Sequence, residues 1–67
     1  MYGSFGRLID DILEEKQMTQ KDLAKRIGKS QQGMSQLKKT KRPHYRTVVK
    51  LARALEVDEI RFLSILN

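Results

Sequence analysis

A chain of 67 residues with net charge +6 and a pI near 10.0 has room for one domain and one small core, because a domain of that size buries only roughly 60% of the surface its unfolded chain exposes. The length excludes a second domain or a deep enzymatic cleft. The absence of cysteine excludes disulfides and cysteine-based zinc sites, so apolar packing and helix caps must hold the fold, and an intracellular setting is expected.

The predicted elements are all helical, and no segment alternates as a strand. The first helix runs from Ser4 or Phe5 to Lys16, with Phe5, Leu8, Ile9, Ile12 and Leu13 on one face and Asp10, Asp11, Glu14 and Glu15 largely opposite. Asp10 and Glu14 could be imagined as an acid–base or metal pair, but with no histidine or cysteine nearby the plain amphipathic reading is favoured. Thr19 caps a second helix, with Asp22 as the acidic half of a capping box, Leu23, Ala24 and Ile27 as its buried stripe, and Gly28 as the left-handed residue that ends it. After Lys29, Ser30 caps a third helix from Gln31 to Lys38 or Lys39, which offers only Met34 and Leu37 to a core. "TKRP", residues 40–43, is a loop. A fourth helix starts near His44 or Tyr45 and runs to Leu55, with Val48, Leu51, Ala52 and Leu55 inward. Asp58 can cap a last helix bearing Ile60, Phe62, Leu63, Ile65 and Leu66.

Charge is unevenly placed along these elements. Residues 18–50 hold ten basic and one acidic side chain, whereas residues 1–17 hold two and four. A cationic block of this kind commonly meets a polyanion, nucleic acid first and anionic membrane second, with an ordinary solvated face as the bland reading. No apolar run approaches the ~18 residues of a membrane span, and the start "MYGSFGRL" lacks the charged-then-apolar order of a signal peptide, so a soluble, unprocessed protein with no membrane partner is expected.

Counted from Gln20, Ala24 is fifth, Gly28 ninth, Met34 fifteenth and Leu37 eighteenth. A small residue where two helices cross, a glycine at the turn and two apolar residues in the second helix form the spacing of a DNA-binding helix-turn-helix, here about residues 19–39. Over "MTQKDLAKRIG", "SQQGMSQLKK", "TKRP" and "VVKLARALEVD" the chain resembles the Cro and repressor family of lambdoid phages and many bacterial regulators. The resemblance implies an all-α, lambda-repressor-like bundle of five short helices spanning residues 1–67. Departures from the family pattern fall at Lys38 and Thr40, where an acidic residue and a glycine are usual, at Gly33 in place of serine or threonine, at Glu56 where a helix-ending glycine is frequent, and in a slightly shortened loop before Pro43.

The resemblance also implies a function. A recognition helix presents its N-terminal residues to base edges in the major groove, where a glutamine amide can pair bidentately with adenine. Gln31 and Gln32 are the expected base readers, with Ser35 and Gln36 one turn later, and Gly33 permits close approach or a thymine methyl. Gln20, a phosphate-binding position of the family, and Ser30, Lys38, Lys39, Lys41 and Arg42 are the expected phosphate contacts, with Lys29, His44, Tyr45 and Arg46 further out. His44 has no partner at zinc-like spacing and reads as a polar contact or cap.

The expectation is therefore a cytoplasmic regulator of bacterial or phage origin, not an enzyme, that binds double-stranded DNA without cofactor, metal or small-molecule ligand. It would act as a repressor of the Cro branch, because the sequence stops right after the DNA-binding fold. It would be a weak dimer on a palindromic operator, with Phe62, Ile65 and Leu66 either at the dimer interface or simply in the core. An activator, a restriction-modification controller, an antitoxin and a protein-interaction module on the same fold are the alternatives.

Overall fold

The computed structural model of the chain describes residues 4–66, and the side chains of residues 4–63. Five helices follow in order: α1 (Ser4–Glu15), α2 (Gln20–Ile27), α3 (Gln31–Lys38), α4 (Tyr45–Leu55) and α5 (Ile60–Leu66). There is no strand among the described residues, and no helix there is long and apolar enough to cross a membrane.

The apolar residues repeat at three- and four-residue steps, which places them on one side of each helix. In α1 that side carries Phe5, Ile9, Ile12 and Leu13; in α4 it carries Val48, Leu51, Ala52 and Leu55. All are buried, and they meet Leu23, Ala24 and Ile27 of α2 and Met34 of α3 in one core. Helix α2 packs on α3 and α4, while α1 packs on α3 and α5. Ala24 is nearly sealed from solvent, as a small residue at a close helix crossing should be.

Of the two roles expected for Phe62, the structure shows the core one. Phe62 is not available to a second subunit: its ring is fully buried and meets the ring of Phe5 edge-to-face, with centroids 5.9 Å apart. Ring packing of this kind adds to the area buried, so the core claims the largest apolar residue of α5. The residues that α5 does leave in water are Ile60, 65% exposed, and Leu63, 39% exposed. The side chains of Ile65 and Leu66 lie outside the described residues.

Caps set the helix boundaries. The Thr19 side chain accepts from the Asp22 N–H at 3.1 Å, and Asp22 Oδ2 accepts from the Thr19 N–H at 3.3 Å, completing the capping box. Hydrogen bonding to Thr19, side chain first and backbone second, holds the Asp22 carboxyl below its ordinary pKa. Asp58 Oδ1 likewise accepts from the Ile60 N–H at 3.0 Å and starts α5. Three helices then end in the same way. After α1, α2 and α4, the residues Gln17, Gly28 and Glu56 adopt left-handed backbone, with φ of 54°, 72° and 58°. Each end is closed by a pair of bonds from successive N–H groups, such as Glu56 N to Arg53 O and Val57 N to Ala52 O. Only one of the three positions has the residue type that suits it.

Candidate nucleic-acid interface

Three residues separate α2 from α3. Gly28 turns the chain with its left-handed φ, Lys29 follows, and Ser30 caps α3 by accepting the Gly33 N–H at 3.1 Å. Because Gly28 and Ser30 leave so little chain between the helices, α3 is held against α2 and α1 through Met34, which is fully buried, and Leu37, which is half-buried. The opposite side of α3 is then fixed in water. At about 100° per residue, Gln31, Ser35, Gln32 and Gln36 fall within a ~140° arc that excludes Met34 and Leu37. Gln31, Gln32 and Gln36 are exposed and Ser35 is half-buried. The four side chains expected to read bases thus lie on one face.

The residues expected to touch phosphate separate into two groups. Ser30, Lys39, Lys41 and Arg42 are exposed beside α3 and the loop that follows it. Ser30 uses its oxygen as the α3 cap and keeps its hydroxyl hydrogen for donation. Lys29, His44, Tyr45 and Arg46 are exposed as well.

Lys38 departs from the expectation. Its side chain is buried, 3% exposed, and its ammonium donates to Asp10 Oδ1 of α1 at 2.5 Å and to Gln20 Oε1 of α2 at 2.9 Å. A direct phosphate contact from Lys38 would require its ammonium to leave these partners, so its place is inward and not at a phosphate, contrary to the expectation. Gln20 remains half-buried at the first residue of α2.

The α3 C-terminus also explains how the chain dispenses with the usual glycine. Lys39 has ordinary right-handed backbone, φ −85° and ψ −8°, and the helix closes through bonds from Lys39 N to Gln36 O and from Thr40 N to Leu37 O. With no left-handed residue at this end, lysine and threonine carry no strain there. The Thr40 hydroxyl adds a donation to Gln36 O at 3.4 Å.

Two acids of α1 are engaged by cations of other helices. Asp10 pairs with Lys38, and Glu15 accepts from Arg61 of α5 at 2.6 Å, which holds the Glu15 carboxyl below its ordinary range. The exposed Lys39, Lys41 and Arg42 beside α3 are separate from these two pairs.

The sequence model of a helix-turn-helix family, HTH_3, matches residues 9–62, from the middle of α1 to the first turn of α5. The chain belongs to this family, the helix-turn-helix regulators of the Cro and repressor type. The matched range includes α2, the Gly28 turn and α3, the two helices joined by a short turn described above. As a member of the family the protein is a regulator that binds double-stranded DNA. Comparisons with curated proteins and with solved structures give no match.

Proposed function

We propose that this helix-turn-helix protein is a transcriptional repressor that occupies a palindromic operator as a dimer, each copy laying α3 in the major groove. The observation that carries the reading is the pair Gln31 and Gln32, exposed in the first turn of α3. An amide is the side chain that pairs bidentately with adenine, and the N-terminal turn of a recognition helix is the part that reaches base edges. Ser35 and Gln36 extend that face by one turn. Gln20, Ser30, Lys39, Lys41 and Arg42 surround it and would hold phosphates, setting the register in which the glutamines read.

The protein acts by occupancy in the cytoplasm, without enzymatic chemistry. Its dimer forms through α5 and the start of α4. Ile60, Leu63 and Tyr45 are the large apolar residues most open to water among the described residues, and the Tyr45 hydroxyl donates to Glu59 Oε1 at 2.6 Å, tying the start of α4 to the residue just before α5. Two copies joined there would read half-sites centred about 10 base pairs apart, one turn of duplex.

Selection from a pool of random duplexes tests the reading. The expected product is a palindrome with adenine-containing half-sites at that spacing, bound by the unaltered protein. Replacing Gln31 or Gln32 with alanine should cost about 1–3 kcal/mol on that operator and relax one position per half-site. A selected operator bound equally well by the doubly substituted protein would remove the glutamines from the reading role. An activator, antitoxin or controller would select an operator too, and is separated by its effect on transcription from a promoter carrying the site. A protein-interaction module would select none.

A further inference from the structure

Lys38, Asp10 and Gln20 come from three different helices, and their chemistry fixes a direction. An ammonium has donors and no acceptor, so the end of the Gln20 amide that meets Lys38 Nζ at 2.9 Å is Oε1. The NH2 end, across the planar amide carbon, points away from the ammonium with two hydrogens to give. Asp10 Oδ1 accepts from the same Nζ and keeps the cation in place. Lys38 is sealed from solvent, whereas Gln20 is half-buried at the start of α2.

We infer that Lys38 is a positioning residue for backbone recognition: it locks the Gln20 amide with its NH2 end outward, so that the amide donates to a phosphate oxygen of the operator. The inference rests on the reading of Gln20 as a phosphate contact. An unlocked amide is free to present Oε1, an acceptor, to an anion that is also an acceptor; the locked amide presents only donors. The lock has a second effect because Lys38 closes α3. The backbone contact on α2 and the helix bearing Gln31 and Gln32 are joined through one ammonium, which fixes the distance between the phosphate grip and the base readers.

A double-substitution cycle on DNA tests this. Binding is measured by fluorescence anisotropy for the unaltered protein, Gln20→Ala, Lys38→Met and the double variant. The probes are the selected operator, a random duplex, and operators in which one half-site phosphate at a time is replaced by an uncharged methylphosphonate. Each single substitution should weaken binding to both natural duplexes by about tenfold, the scale of one hydrogen bond to a charged group. The double variant should lose little more than either single one, and the methylphosphonate position that hurts the unaltered protein should become silent in both single variants.

Losses that multiply to about a hundredfold in the double variant, with that phosphate still felt by Lys38→Met, would overturn the lock while leaving Gln20 a phosphate contact. Gln20→Ala binding as the unaltered protein does would remove the phosphate contact and the lock with it. Gln20→Glu keeps an acceptor for Lys38, and so gives a folded variant even if Lys38→Met does not fold. It should bind both duplexes more weakly than Gln20→Ala, because it turns a carboxylate oxygen toward the phosphate. Equal or tighter binding than Gln20→Ala would overturn the proposal.

Discussion

Glu56→Gly should make the protein more stable, although it deletes a side chain from a helix end. Glu56 sits at φ 58° and ψ 44°, where an L side chain crowds the following carbonyl. That conformation costs a non-glycine residue roughly 1–2 kcal/mol, and glycine recovers most of it, less a part offset by the greater entropy it gives the unfolded chain. The bond from Lys16 Nζ goes to the Glu56 carbonyl, which glycine retains, as it does the closing bonds of the helix end. A net gain of about 1 kcal/mol follows, or a rise in Tm of roughly 4–8 °C for a domain of this size. Gly28→Ala supplies the mirror measurement. A Cβ added to Gly28 meets nothing within 4 Å, so its cost, again about 1 kcal/mol, reports backbone conformation alone. Thermal and urea unfolding of both variants, read by circular dichroism, give the two values. If Glu56→Gly melted below the unaltered protein with an unchanged m-value, the strain argument would be wrong.

Other expectations are open to equally direct measurement. Gly33→Ala should raise stability by about 0.8–1 kcal/mol, since the added Cβ meets Ser30 Oγ at 3.4 Å and the helix gains propensity; a simultaneous loss of operator affinity would show that Gly33 serves close approach to the groove. Phe62→Ala should cost about 3–5 kcal/mol in urea unfolding, and Ile60→Glu or Leu63→Glu almost none; the latter two should abolish cooperative binding to the palindrome while sparing half-site affinity, and cooperativity left intact would exclude the α5 surface. Lys41→Ala or Arg42→Ala should weaken specific and random DNA alike and flatten the salt dependence by about one unit of slope per lost phosphate contact, whereas an unchanged slope would turn the loop away from the duplex. Asp22 and Glu15 bind protons less readily folded than unfolded. They therefore contribute stability above the ordinary carboxylate pKa that is lost as pH falls through their lowered folded values, and acid unfolding of Asp22→Asn and Glu15→Gln should be flatter there than that of the unaltered protein.

The helix boundaries were legible because they are decided locally. Thr19 with Asp22, Ser30 and Asp58 each cap the helix that follows them, and the three- and four-residue steps of Val48, Leu51, Ala52 and Leu55 name the inward side of α4 without reference to any other element. The family pattern was legible for the same reason, since Ala24, Gly28 and Met34 are constrained by the two helices they join. What the sequence concealed depends on partners far along the chain. Lys38 is written as one of a run of lysines, and only the approach of Asp10 and Gln20, 28 and 18 residues away, turns it inward. Phe62, Ile60 and Leu63 share one apolar segment, and which of them is buried depends on where Phe5 lies. The left-handed turn at Gln17 gave no compositional sign, because glutamine does not advertise it.

The ion pair beneath α3 bears on any attempt to retarget this protein by exchanging its recognition helix. A donor segment with a carboxylate at position 38 would bring two anions together at Asp10, and a donor with an apolar residue there would leave Asp10 and the Gln20 amide without their cation. A graft limited to the residues that face the groove is therefore portable, while one that replaces the whole helix must carry position 10 along with it. The specificity module of this scaffold is larger than the helix that reads, and one of its members sits on α1.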